Sequence, residues 1–61
     1  RAFMVGDYIR VQNFEGRVIK IGVRTTVIET SEGDTVFIPN SIFITNPVVR
    51  RSSRGGNLVR K

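Results

Sequence analysis

The run Val36-Phe37-Ile38-Pro39-Asn40-Ser41 constrains the fold more than any other stretch of the chain. An apolar strand stops there at a proline, which has no N–H to give a β-ladder and pushes Ile38 into an extended conformation. Asn40 and Ser41 follow at once, and both are side chains that accept from the N–H groups of a following helical turn. A sheet is therefore expected to end at Pro39, with one short helical turn over Ser41 to Thr45. By composition Ile42-Phe43-Ile44 would suit a strand equally well, and the capping pair decides for helix.

Upstream of this boundary the chain is a series of short β-branched runs separated by glycine turns, the pattern of a small all-β barrel. Tyr8 to Phe14 reads as a first strand, with Ile9 and Val11 on one face and Arg10 and Gln12 on the other. Glu15-Gly16 is expected to turn the chain into a second strand over Arg17 to Arg24, with Ile19, Ile21 and Val23 sharing a face. Gly22 then falls in mid-strand, where glycine suits a sharp bend at a barrel corner. Thr25 to Thr30 makes a third strand, Ser31-Glu32-Gly33-Asp34 a polar turn, and Thr35 to Pro39 a fourth. Asn46-Pro47 opens a last extended run through Val48, Val49 and Arg50, proline being permitted at the start of an edge strand.

Residues 1 to 51 read as one domain, and 52 to 61 as a basic linker or tail containing Gly and Ser. The chain starts at Arg1 and its last residues form no recognisable closing element, so it reads as a piece of something longer. A domain of 61 residues buries only roughly 60% of the surface its unfolded chain exposes. Disulfides are ruled out by the lack of cysteine, and a structural metal loses its commonest ligands with no histidine present. Oligomerisation is the remaining route to stability, and an edge strand opened by proline offers unpaired backbone for it.

Charge narrows the choice of partner. The net charge is +5, which suggests nucleic acid until it is divided along the chain. Arg1, Arg10, Arg17, Lys20 and Arg24 are balanced by Asp7, Glu15, Glu29, Glu32 and Asp34, and the excess comes entirely from Arg50, Arg51, Arg54, Arg60 and Lys61. The body is neutral and the tail basic, so nucleic acid is disfavoured as a partner. No run approaches the ~20 apolar residues of a membrane helix, and the segment itself is expected to be soluble.

An enzyme is not expected. Without His or Cys the commonest general base and soft nucleophile are missing, no phosphate-binding glycine loop occurs, and Glu32 with Asp34 reads as a solvated turn. No cofactor, metal or small-molecule substrate is implied. Gly6-Asp7 reads as a turn with a capping carboxylate. Arg24, beside Thr25 and Thr26, admits two readings, a solvent-facing strand residue or half of an ion pair.

Taken in order, Phe3, Gly6-Asp7 with Ile9 and Val11, Gly16 with Val18 and Ile21, Gly22, Arg24-Thr25, Gly33, Ile38-Pro39-Asn40-Ser41 and Asn46 resemble the soluble domain that follows the pore helix in the small-conductance mechanosensitive channel (MscS) family. The resemblance implies an Sm-like (SH3-like), strongly bent five-stranded barrel on the cytoplasmic face of the cell membrane. It also implies a homo-oligomer, a heptameric ring that anchors the pore helices while the parent membrane chain releases ions under osmotic stress. The segment around Phe3 to Asp7 would receive the end of the pore helix. The alternative is a small RNA-binding barrel of the KOW or Sm kind, which shares the same turn and corner glycines.

Overall fold

The computed structural model describes residues 3–51. They form five strands and one short helix in the order β1 (Tyr8–Val11), β2 (Phe14–Ile21), β3 (Thr25–Glu29), β4 (Thr35–Pro39), α1 (Ile42–Thr45) and β5 (Val49–Arg51). The fold is all-β: one antiparallel sheet of order β4-β3-β2-β1-β5, with β4 and β5 at its two edges. The tail at 52 to 61 lies outside the described residues.

The core follows from the two-residue alternation of the strands. Ile9 and Val11 from β1, Val18 from β2, Ile28 from β3 and Ile38 from β4 are buried on the inner face with Phe3, and Ile42, Phe43 and Val48 pack against them. Each such aliphatic side chain contributes about 1.5–3 kcal/mol on burial. The short helix packs beside β4 and turns Ile42 and Phe43 against the same core.

Three local features depart from the expectations above. The first hairpin turns at Gln12-Asn13 rather than at Glu15-Gly16: Val11 pairs with Phe14, and Gln12 takes a positive φ of 55°. Phe14 therefore opens β2 rather than closing β1. Gly16 sits inside β2, opposite Ile9, and a Cβ there would lie 2.6 Å from the Glu29 carbonyl oxygen. Its role is to let β3 approach, since any side chain would collide with backbone.

The bend in β2 comes from a register shift between Val18 and Lys20, which inserts Ile19 as an extra residue. A bulge of this kind increases local twist and resets the alternation beyond it. Val18, before the bulge, is buried and Ile19 is exposed. The shared face expected for Ile19, Ile21 and Val23 is broken, since Ile21 beyond the bulge is half-buried while Val23 lies in solvent. Gly22 lies just past the end of β2 instead of in mid-strand, its N–H donating to Thr25 O at 2.8 Å. The fourth strand, the helical turn and the glycine turn at Gly33, with φ 88°, stand where the sequence puts them.

Candidate functional site

Two clusters of specific contacts organise the surface of the sheet, and neither is catalytic in form. The first receives the chain as it enters the domain. Phe3 is buried and meets Phe43 edge to face, with ring centroids 4.9 Å apart. Gly6 takes a positive φ of 99°, so the chain reverses over Met4 to Asp7. Asp7 N–H donates to Met4 O at 3.0 Å, and Met4 N–H returns a bond to Asp7 Oδ2 at 2.9 Å.

The same segment is stitched to β2 before β1 begins. Gly6 N–H donates to Val18 O and Val18 N–H to Asp7 O, both at 2.8 Å. Arg17 Nη1 donates to Gly6 O at 2.8 Å while its guanidinium carbon stands 5.8 Å from the Tyr8 ring centre. Asp7 is only 3% exposed, and its carboxylate also faces Arg50 Nη1 of β5 at 3.6 Å. A buried carboxylate needs such partners, and here a backbone N–H and a guanidinium supply them. The entry segment is thus tied to β2, β5 and the helix together.

The second cluster centres on Asn40. Its amide nitrogen donates to Gly22 O at 3.0 Å and Val23 O at 3.1 Å, and its Oδ1 accepts from Thr26 Oγ1 at 2.7 Å. Its backbone N–H donates to Arg24 O at 2.8 Å. Asn40 thereby fastens the end of β4 to the β2–β3 hairpin. The helix cap expected of it does not form through its side chain, and Ser41, at the N-cap position, makes no side-chain cap bond either. Asn46 ends the helix, its Nδ2 donating to Ile42 O at 3.0 Å, and so sends the chain through Pro47 into β5.

The remaining residues singled out from sequence are spread around these clusters. Thr25 opens β3 opposite Pro39, the last residue of the edge strand β4. Arg24 lies exposed at the hairpin tip, and among the described residues the ion pair found is Asp7 with Arg50. Gly33 shapes the polar turn, where Thr30 N–H donates to Asp34 O at 2.8 Å and Asp34 N–H to Thr30 Oγ1 at 3.1 Å. Sequence reasoning did not single out Gln12, Thr26 or Arg50, which carry a turn, the Asn40 bond and the Asp7 pair. Only Thr26, a hydroxyl at an inward strand position, carries a signal that could have marked it.

Chemistry is sparse. A surface groove of about 310 Å³ between the first hairpin and the β3–β4 turn brings Tyr8, Phe14, Glu15 and Glu32 together. Glu15 beside the phenol raises the Tyr8 pKa above the ordinary 10.0, with a further rise from desolvation. Among the described residues no three acidic, His or Cys side chains are grouped as metal ligands, and no helix is long and apolar enough to cross a membrane.

A small antiparallel sheet with a tightly bonded entry segment, two edge strands and polar side-chain bonds at its corners has the form of a structural β-module. Comparison with known proteins gives the module its kind. The family described as "Mechanosensitive ion channel, beta-domain" matches residues 1–50, and the chain belongs to that family. It is 38% identical over 52 residues to mechanosensitive ion channel protein 1, mitochondrial, of Arabidopsis thaliana, covering 85% of this chain and 10% of that protein. It is 44% identical over 45 residues to the low conductance mechanosensitive channel YnaI of Escherichia coli, covering 70% of this chain and 13% of YnaI.

The cryo-EM structure of Arabidopsis thaliana MSL1 superposes with a TM-score of 0.81 at 38% identity, over 90% of this chain and 20% of that one. An MscS family protein of Aquifex aeolicus is 38% identical over 56 residues, 92% of this chain and 15% of its own length. The chain thus spans a small part of each relative. The family is one of ion channels rather than enzymes, and the RNA-binding alternative gains nothing from these matches.

Proposed function

We propose that this domain anchors the end of a pore helix in a tension-gated channel, as one unit of a homo-oligomeric ring on the cytoplasmic face of the cell membrane. The observation that carries this reading is the locked entry. Phe3 sits in the core and the backbone of Gly6 and Asp7 is bonded to Val18, so a helix ending just before Phe3 would be held in fixed register with the sheet. Gly16, Gly22 and Gly33 shape the sheet around that anchor, and Pro39, Asn40, Ser41 and Asn46 turn its far end; Arg24 and Thr25 present the hairpin that Asn40 holds.

The two edges favour a ring. The turn leading into β4 is acidic through Glu32 and Asp34, while β5 carries Arg50 and Arg51. Opposite charge at opposite edges of one sheet suits head-to-tail association, which closes when the rotation between copies allows. Seven copies are proposed. The tail at 52 to 61 then serves as a connector leading out of the ring.

The test is the full-length channel chain, expressed in bacteria lacking their own mechanosensitive channels. Rescue of survival on hypo-osmotic shock, with stretch-activated current in excised patches, is the expected outcome. A chain that reaches the membrane but passes no current up to lytic tension overturns the reading. Native mass spectrometry of the purified channel counts the copies, and any number other than seven rejects the heptamer.

A further inference from the structure

We propose that the Met4–Asp7 turn is a membrane-surface contact, in which Met4 and Val5 dip into the headgroup region and Arg17, Arg50 and Arg51 bind anionic lipid phosphates around them. The inference rests on the channel reading for its nearness to a bilayer, and on this structure for everything else. Met4 and Val5 are each 58% exposed although they directly follow the buried Phe3. Two adjacent apolar side chains at the tip of a rigid reversal are costly in water and suited to an interface.

Two of the three cations around that tip, Arg17 and Arg50, are held there by side-chain contacts, and Arg51 is placed there by strand register. Arg17 is fixed by its bond to Gly6 O. Arg50 Nη1 and Met4 N–H approach the same Asp7 Oδ2, at 3.6 and 2.9 Å, which sets this guanidinium beside the turn. Tyr8 is flanked in register by Arg17 on β2 and Arg51 on β5. Nearby acids are Asp7, which is buried, Glu15 beside Tyr8, and Glu29 opposite Arg17.

An apolar tip collared by guanidinium groups fits an anionic lipid surface. Basic residues near such a surface are worth about 1 kcal/mol each, and apolar side chains add to this by leaving water. Nucleic acid would use the arginines but leave Met4 and Val5 without a role.

The experiment uses the full-length channel carrying a single cysteine, Val5→Cys, labelled with a small fluorophore. It is reconstituted in phosphatidylcholine vesicles with or without phosphatidylglycerol, and a lipid bearing a quencher near the headgroup reads contact. Strong quenching that grows with phosphatidylglycerol is expected, and Arg17→Gln or Arg51→Gln should each lower that lipid-dependent component about fivefold, the factor that about 1 kcal/mol represents.

Equal quenching in both lipids overturns the role of the arginines, and with it the proposal. Absent quenching in protein that floats with the vesicles overturns it too, and assigns Met4 and Val5 to a protein contact. Quenching abolished by inorganic phosphate, but not by chloride at the same ionic strength, assigns the arginines to a soluble anion instead. Protein that fails to float with either vesicle rejects the channel reading itself.

Discussion

Thr26 Oγ1 donates to Asn40 Oδ1 at 2.7 Å, joining the start of β3 to the residue just past the end of β4, 14 positions away in sequence. The bond consumes the hydroxyl of a buried threonine and orients the amide so that its nitrogen reaches Gly22 O and Val23 O. One side chain thereby joins the end of the edge strand to the β2–β3 hairpin.

Replacing it separates them. Asn40→Ala strands the buried Thr26 hydroxyl and removes three bonds, so a loss of about 1–3 kcal/mol is expected in urea unfolding. Thr26→Val removes only the hydroxyl and should cost less. Because both changes break the same bond, the double variant should lose less than the sum of the two. Strict additivity would show that the amide and hydroxyl act independently.

Three glycines should rank by what a Cβ would meet. Gly16→Ala drives a methyl to 2.6 Å from the Glu29 carbonyl oxygen and must separate β2 from β3, costing about 2 kcal/mol or more. Gly22→Val faces Thr25 O at 3.0 Å and should cost about 1 kcal/mol. Gly33→Ala has open space but a φ of +88°, and the strain of that conformation is worth about 1–2 kcal/mol. Thermal melts that leave Gly16→Ala the most stable of the three would refute the close approach of β3.

These glycines also show how much of the fold can be read in advance. Gly33 lies in a polar run between two β-branched runs, and Pro39 ends a strand by its own chemistry, so both elements could be placed without coordinates. The first hairpin could not, because Gln12 takes the positive φ that sequence reasoning reserves for glycine. Gly16 is the nearest glycine and so attracts the turn assignment, while its actual use is a tertiary approach to β3 that no local pattern displays. The bulge at Ile19 is hidden for a similar reason: Val18 and Ile19 are both apolar and β-branched, and either could face the core. Asn40 was visible as a polar residue after the sheet, yet the same amide serves a helix cap or a distant hairpin, and only packing chooses.

The entry lock predicts unequal effects for its two charged partners. Asp7→Ala leaves the Met4 N–H without its acceptor and Arg50 without its counter-charge, and about 1–3 kcal/mol is expected to be lost. Arg50→Gln removes a guanidinium that is 47% exposed and 3.6 Å away, so at most about 1 kcal/mol should go. Hydrogen exchange at Met4 should accelerate in the first variant and barely change in the second. Equal acceleration would mean that the ion pair, rather than the backbone bond, holds the turn.

Tyr8 is the sole tyrosine, so its ionisation can be followed directly by ultraviolet absorbance. Glu15 beside the phenol disfavours the phenolate, and desolvation adds to this, while Arg17 and Arg51 oppose it less strongly. The folded chain should therefore titrate above 10.0, and Glu15→Gln should move the midpoint back toward that value. A folded pKa raised above the unfolded one means that the stabilising contribution is complete below the unfolded value and disappears as pH rises through the folded one. Stability measured across the alkaline range should accordingly fall less in Glu15→Gln than in the parent chain. A midpoint in Glu15→Gln equal to that of the parent would show that the carboxylate does not face the phenol, and the outer face of the β1–β2 hairpin would need to be redrawn.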